Sequence, residues 1–157
     1  MVEALLAPIN LVIAALGVGF LLPLIARHSE GSARALFWLT QIYLLLISGI
    51  WLLRLMGGAP AVEIITAGIQ PPFAINLRFG LFEAFVVTAV NLSALLGGWY
   101  LIEYFRGRAS AMSVYLILAM GISGMVMTRD LFNLFIFIEI TALATYGMLA
   151  LDKRPAS

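Results

Sequence analysis

Long apolar stretches are the feature that most constrains this 157-residue chain. Five of them come close to or exceed the roughly 20 residues that span the hydrocarbon core of a bilayer. Because that core holds no water to pair with backbone groups, each stretch is predicted to be a helix. The stretches are residues 4–26, 35–53, the segment between Glu83 and Glu103, 111–128 and 131–151.

The composition is typical of a protein that is embedded in a lipid bilayer. It is 63% hydrophobic and 11% charged, whereas soluble domains are about 45–50% apolar and about 25% charged. No repeat or linker divides residues 1–157, so we predict one transmembrane domain. The predicted fold class is an all-α integral membrane protein with five transmembrane helices, multi-pass in the cell (inner or cytoplasmic) membrane.

Several kinds of chemistry are excluded by what the sequence lacks. It has no cysteine and one histidine, which excludes thiol chemistry, a cysteine-ligated cluster and a histidine-based metal site. We therefore expect no cofactor in this chain, and any redox chemistry must belong to a partner. The net charge of +1 gives no sign of a nucleic-acid partner. Whether the chain serves in an enzyme complex is left open.

The basic residues predict the orientation of the helices. Cytoplasmic loops of membrane proteins are enriched in lysine and arginine. The bases divide six against three between the two sides, which predicts an outside N-terminus and a cytoplasmic C-terminus. The acidic start lacks the features of a cleaved signal peptide, so we expect the first helix to be retained. The larger set is Arg27, Arg34, Arg106, Arg108, Lys153 and Arg154, and the smaller is Arg54, Arg78 and Arg129.

The loop between the second and third helices, residues 57–79, is the longest. It contains a β-branched run, Val62 to Thr66, then Gly68 and the pair Pro71-Pro72. This pattern predicts a strand, a turn at Gly68 and an extended return through the prolines. We expect a short β-hairpin-like element on the outer face of the membrane.

Glu139 is the one acidic residue inside a predicted span. It lies roughly 13 Å along the fifth helix, near the bilayer midplane, where a charge costs about 2.5–3.5 kcal/mol. Protonation or a nearby cation lowers that cost, and both make the residue a candidate proton carrier. Thr145 and Tyr146 offer nearby hydroxyl groups. A neutral glutamate that only pins helices together is the structural alternative.

The sequence offers no cation to pair with Glu139. The only lysine, Lys153, is fourteen residues away, about 21 Å along a helix. The arginines all lie at the ends of predicted helices. Either Glu139 is neutral, or its partner comes from another polypeptide.

Other polar residues in or beside the predicted helices have structural and functional interpretations. Asp130 precedes the fifth helix and is expected to cap it, with ion entry as the lesser alternative. Asn133 and Asn91 are expected to form hydrogen bonds between helices. Glu83 is predicted to pair locally with Arg78, with a functional role as the alternative.

The run from Arg129 to Ile140, Arg-Asp-Leu-Phe-Asn-Leu-Phe-Ile-Phe-Ile-Glu-Ile, resembles a signature of the proton-conducting antiporter-like family. That family includes Mrp-type sodium/proton antiporter subunits, of which the D type is the most similar, antiporter-like subunits of respiratory complex I, and relatives in membrane-bound hydrogenases. Arg129 replaces a glycine of the family pattern, and Glu83 stands where an aspartate is common. Residues 70–75 are similar to a Pro-Pro-Phe-Gly-Ile segment, with Ala74 in place of the glycine.

The resemblance implies a role for Glu139 and for other membrane subunits. In the family, the matching glutamate pairs with a lysine two helices later, and this sequence resembles only the first five helices. The implied function is a membrane subunit of a multisubunit cation/proton antiporter or complex I- or hydrogenase-like complex. Glu139 would act in translocation of H⁺ or Na⁺, with the lysine on another chain. The alternative is a truncated, non-translocating subunit that bridges or seals its neighbours.

Overall fold

The computed structural model describes residues 2–65 and 76–152. Helices make up most of this part of the chain, and two short strands lie between the third and fourth. In chain order the elements are α1 Val2–Leu5, α2 Asn10–Ala26, α3 Glu30–Met56, β1 Val62–Ile65, β2 Asn76–Phe79, α4 Leu81–Tyr100, α5 Ala109–Met127 and α6 Leu131–Asp152.

Four of the five predicted spans are confirmed in length and composition. Helices α3, α4, α5 and α6 are each long and apolar enough to cross a membrane. Helix α2 is apolar but has only 17 residues. The count of five spans and the orientation of the termini therefore stay predictions.

The first predicted helix is wrong at its start, because the helical structure is interrupted between α1 and α2. We call this interruption the break. Pro8 lies in the break, where its missing N–H and its ring oppose a continuous helix. The carbonyl groups that this leaves free are paired by side chains. The Asn10 amide donates to the oxygens of Ala4 and Leu5 at 2.7 and 3.0 Å, and the Tyr43 hydroxyl donates to Leu5 at 2.7 Å. The Asn10 bonds join the break to the start of α2, and the Tyr43 bond joins it to α3.

Four helices form a closed bundle, and α6 lies outside it. Helix α2 packs on α3, α3 on α4, α4 on α5, and α5 back on α2, while α6 packs on α5. Of the residues in the spanning windows, 56% are buried in α5 but only 11% in α6. Helix α5 is thus the centre of the described structure, and α6 presents most of its surface outwards.

The predicted hairpin is present. β1 and β2 pair antiparallel, with Val62 opposite Phe79 and Ile65 opposite Asn76. The Phe79 ring packs edge-on against Trp51 of α3, with ring centroids 6.3 Å apart. The turn at Gly68 and the return through the prolines lie outside the described residues. The hairpin is therefore anchored to the bundle through its second strand.

Helices α5 and α6 approach closely because α5 carries glycine at the contact. A Cβ atom on Gly124 would overlap the ring of Phe137, and one on Gly121 would overlap the Thr141 hydroxyl. A Cβ atom at either position would require the Phe137 and Thr141 side chains, or the helices, to shift. Together the two contacts bring α6 close to α5 and place Phe137 and Thr141 on the side of α6 that faces it.

Gly124→Ala is expected to destabilise the chain by about 1–3 kcal/mol, because the added methyl group overlaps the Phe137 ring. The measurement is the free energy of unfolding of the full chain in detergent micelles. Gly17→Ala is the matched control, since a Cβ on Gly17 of α2 meets nothing within 4 Å. Alanine favours a helix over glycine, so this control is expected to be neutral or stabilising by up to about 1 kcal/mol. Equal effects of the two substitutions would contradict the assigned packing.

Candidate ion-translocation site

Glu139 lies near the middle of α6, and its side chain is exposed. Phe137 and Thr141, two residues before and after it, face α5. Because an α-helix turns about 100° per residue, two residues correspond to about 200°. The side chain of Glu139 therefore points almost directly away from α5, on the outer side of the bundle.

The carboxylate is surrounded by large exposed apolar side chains on its own helix. The outward face of α6 is formed by four residues that lie four and seven positions before and after Glu139, a spacing that places side chains on one face of a helix. Each of these side chains is between 60% and 73% exposed. They are Phe132, Phe135, Leu143 and Tyr146, and we call them, with Glu139, the outer face of α6.

Neither predicted hydroxyl group is bonded to Glu139. The Thr145 hydroxyl donates to the carbonyl of Thr141 at 2.8 Å, and the exposed Tyr146 side chain lies about two helical turns further along α6. Within residues 2–65 and 76–152, the ion pairs are Arg106–Glu103 and Arg129–Glu83. The part of the chain that the structure describes therefore brings no cation to Glu139.

The chemistry open to this site is that of one carboxylate. Helix α5, on which α6 packs, contains no charged residue. No group of three or more potential metal ligands occurs among the described residues. A single carboxylate can bind and release a proton or accept a cation.

Asp130 caps α6, as predicted. Its Oδ1 accepts the backbone N–H of Asn133 at 2.7 Å, and its Oδ2 accepts the Asn133 side-chain amide at 2.6 Å. A further N–H comes from Asn76 of β2 at 3.5 Å. Burial raises the pKa of the Asp130 carboxyl, but these hydrogen bonds and one from the Phe132 backbone outweigh it and hold the pKa below its usual value.

The prediction that Asn133 bonds between helices is wrong. Its side chain is buried, but it donates to the aspartate of its own helix cap. Asn91 does bond between helices, since its amide donates to the Ser48 hydroxyl of α3 at 3.5 Å. The difference is positional, because Asn133 lies in the first turn of α6, where the cap competes for its amide.

The predicted pair of Glu83 with Arg78 is also wrong, because Glu83 pairs with Arg129 instead. Glu83 is only 4% exposed, and its second oxygen accepts the backbone N–H of Gly80 at 2.9 Å. Arg78 is exposed on β2, opposite Glu63 in the strand register. The two partners of the observed pair are 46 residues apart, so spacing gave no sign of it. The one hint was that Arg129 replaces a glycine of the family pattern.

The α5–α6 junction is also joined to the hairpin through its backbone. Leu77 of β2 forms an antiparallel bridge with Thr128, and the Arg129 N–H donates to the carbonyl of Asn76 at 2.9 Å. β2 is thus paired on both sides. We call these contacts, together with the Glu83–Arg129 pair and the Asp130 cap, the junction cluster.

The fold and the site define a helical membrane protein with a carboxylate on the outer side of a membrane-length helix. No protein-family model matches the chain. It is 32% identical over 154 residues to the N-type subunit of the NADH-quinone oxidoreductase of Desulforudis audaxviator, a match that covers 94% of this chain and 30% of that protein. It is 30% identical over 145 residues to the D-type subunit of the Na(+)/H(+) antiporter of Alkalihalophilus pseudofirmus, covering 85% of this chain and 27% of that protein.

Two solved structures share the fold of this chain. A chain of the membrane-bound sulfane sulfur reductase, an archaeal respiratory membrane complex, superposes with a TM-score of 0.80 at 25% identity, over 95% of this chain and 31% of that one. A chain of the Mrp complex from Dietzia sp. DQ12-45-1b shares the fold with a TM-score of 0.78 at 22% identity, over 92% of this chain and 27% of that one.

The two relatives are subunits of an NADH-quinone oxidoreductase and of a Na(+)/H(+) antiporter, and the two solved structures share the fold, which matches the antiporter-like family. The resemblance predicted from residues 129–140 is confirmed. The chain spans about 30% of the length of these relatives.

Asp130→Ala is expected to destabilise the chain by about 1 kcal/mol at neutral pH, because α6 loses its N-terminal cap. The carboxyl has a lower pKa when folded than when unfolded. Its stabilising effect is therefore complete above the unfolded value of about 3.9 and is lost as the pH falls through the folded value. Thermal unfolding of the full chain in detergent over a series of pH values measures this.

Asp130→Asn is the control for titration, because asparagine also caps helices but carries no acidic proton. The stability difference between the parent chain and the asparagine variant should shrink at acidic pH. A difference that stays constant down to the lowest pH tested would contradict the role of the ionised cap.

Proposed function

We propose that this chain is a membrane subunit of a multisubunit cation/proton antiporter or an antiporter-containing respiratory complex. In that complex it takes part in the translocation of H⁺, Na⁺ or both through Glu139. The observation that carries the proposal is the exposed carboxylate in the middle of a membrane-length helix, with no cation among the described residues to pair with it.

The energetic cost of placing the Glu139 carboxylate against lipid supports a membrane partner that covers it. A charged side chain at the bilayer centre costs about 2.5–3.5 kcal/mol on insertion scales. Residues of this kind face a bundle interior or a water-filled cavity and rarely face lipid. Because Glu139 faces away from its own bundle, the side chains that cover it come from membrane helices outside this bundle, which we assign to another membrane polypeptide. A lysine on that polypeptide is the cation that the sequence resemblance implies.

The names of the relatives support the proposal that the complex is an antiporter or a respiratory complex. One relative is an antiporter subunit for Na⁺ and H⁺, and another is a subunit of an NADH-quinone oxidoreductase. The structural neighbours come from an Mrp complex and a respiratory membrane complex. Complexes of both kinds fit a chain that carries the carboxylate and has no cysteine in its sequence.

The proposed topology places five helices across the cell membrane, with α2 as the first. The N-terminus is outside, and the C-terminus is cytoplasmic. In this orientation the hairpin and the junction cluster lie at the outer ends of the helices. The arginines that follow α2 and precede α5 lie on the cytoplasmic side, in agreement with the bias of basic residues towards that side.

Glu139→Gln is expected to lower cation/proton exchange by the assembled complex by about tenfold or more, equivalent to about 1.4 kcal/mol in the barrier. Glutamine keeps the size of the side chain but neither releases a proton nor attracts a cation. The measurement is the pH change inside inverted membrane vesicles after addition of Na⁺, with assembly followed on native gels.

Glu63→Gln is the matched control, because Glu63 is an exposed carboxylate on the hairpin and the substitution is the same. It should leave exchange unchanged. Normal exchange by an assembled Glu139→Gln complex would overturn the proposal. Together with loss of assembly when the chain is deleted, that result would show the structural alternative, a subunit that bridges or seals its neighbours.

A further inference from the structure

We propose that the Glu83–Arg129 ion pair is a positioning element for Glu139. It holds the start of α6 at one rotation about the helix axis, and that rotation sets the direction in which the carboxylate faces. The consequence for transport rests on the function proposed above. The consequence for the rotation of α6 does not depend on it.

The contacts of the Glu83 carboxylate hold the Arg129 side chain in one place. Glu83 is almost fully buried at the first turn of α4, and each of its carboxylate oxygens has a donor. One oxygen accepts from the Arg129 guanidinium and the other from the Gly80 backbone. A buried carboxylate that loses its cationic partner is strongly unfavourable. Arg129 is therefore held to α4 by charge and by geometry.

Arg129 in turn holds the start of α6. It lies two residues before Leu131, the first residue of the helix. Its side chain is bound to α4, while its backbone N–H is bound to β2 at 2.9 Å. The chain therefore enters α6 from a residue fixed on two sides, with the Asp130 cap directly after it.

The rest of α6 has few other attachments. Along its length it packs on α5, and near its end the Tyr104 hydroxyl donates to the carbonyl of Met148 at 3.4 Å. Because the α-helix is stiff, a rotation at its first turn is carried to Glu139 about two turns later. The junction cluster and the glycine contacts of α5 therefore set the direction of the carboxylate together.

The surroundings of Glu139 make its direction matter. Helix α5 brings no charged group to α6. The nearest charged residues along the chain are Asp130 and Arg129 at the start of α6 and Asp152 at its last position. The groups that the carboxylate meets therefore depend on the direction of the outer face of α6, and a rotation of α6 changes those groups.

Nitroxide labelling tests the rotation directly. The chain has no cysteine, so a single cysteine at Leu143, which is exposed, or at Ala144, which is buried, carries a unique label. In the full chain reconstituted in lipid vesicles, oxygen accessibility should be high at 143 and low at 144. A rotation of about 50°, half of the 100° between neighbouring residues, would make the two positions alike.

Arg129→Gln is expected to bring the ratio of accessibilities at 143 and 144 down by about twofold or more towards unity. In the assembled complex, it should also shift the pH profile of cation/proton exchange. Arg129→Lys keeps the charge and should restore much of both properties. Arg78→Gln removes an exposed arginine of the same hairpin that has no ion pair among the described residues, and it should change neither.

An accessibility ratio in Arg129→Gln that equals that of Arg78→Gln overturns the positioning role. A changed ratio with an unchanged pH profile overturns only the consequence for transport. If Arg129→Gln does not assemble, Glu83→Asp shortens the carboxylate arm and is judged by the same ratio. Glu139→Gln in the same preparations separates the proposals. Unaffected exchange in that variant overturns the proposed function, whereas an unchanged ratio in Arg129→Gln overturns the positioning role alone.

Discussion

The contact of Phe137 with Gly124 helps to set the direction in which Glu139, the acidic residue near the middle of α6, faces. Phe137 fits against α5 where the glycine leaves space, and this contact holds α6 at the rotation that the structure shows. That rotation turns Glu139 outwards, onto a surface of large apolar side chains. A membrane protein does not leave a carboxylate in hydrocarbon without cost. The packing of two helices thus supports the proposal that a further membrane helix covers Glu139.

The junction cluster provides the second constraint on α6. It joins the start of that helix to α4 and to the hairpin through an ion pair, a helix cap and backbone hydrogen bonds. Arg129 stands where the family pattern has glycine, and the buried Glu83 compensates its charge. Without Glu83, Arg129 would leave an unpaired guanidinium at the start of α6. With Glu83, the ion pair connects α6 to α4. The fixed hairpin and the direction of Glu139 are therefore connected through one residue.

Much of the fold could be predicted from the sequence, because lipid imposes simple rules on length and charge. The long apolar stretches correspond to α3, α4, α5 and α6, and the β-branched run corresponds to β1. The partners of the carbonyl groups at the Pro8 break could not be predicted, since they are side chains of distant residues such as Tyr43. The Glu83–Arg129 pair likewise joins residues that are far apart in sequence. Hydrophobic patterning identified Glu139 as unusual, but its direction depends on the glycine contacts of α5.

The central claim is that the outer face of α6 is covered by a basic membrane helix of another polypeptide. A photo-crosslinking residue at Leu143, one helical turn after Glu139, tests this in native membranes, with Leu39 on the exposed face of α3 as the control position. The account predicts a crosslink from position 143 to one membrane-spanning peptide that contains a lysine or arginine within its apolar stretch. Crosslinks from position 143 to lipid alone, as from a lipid-facing position, would contradict it.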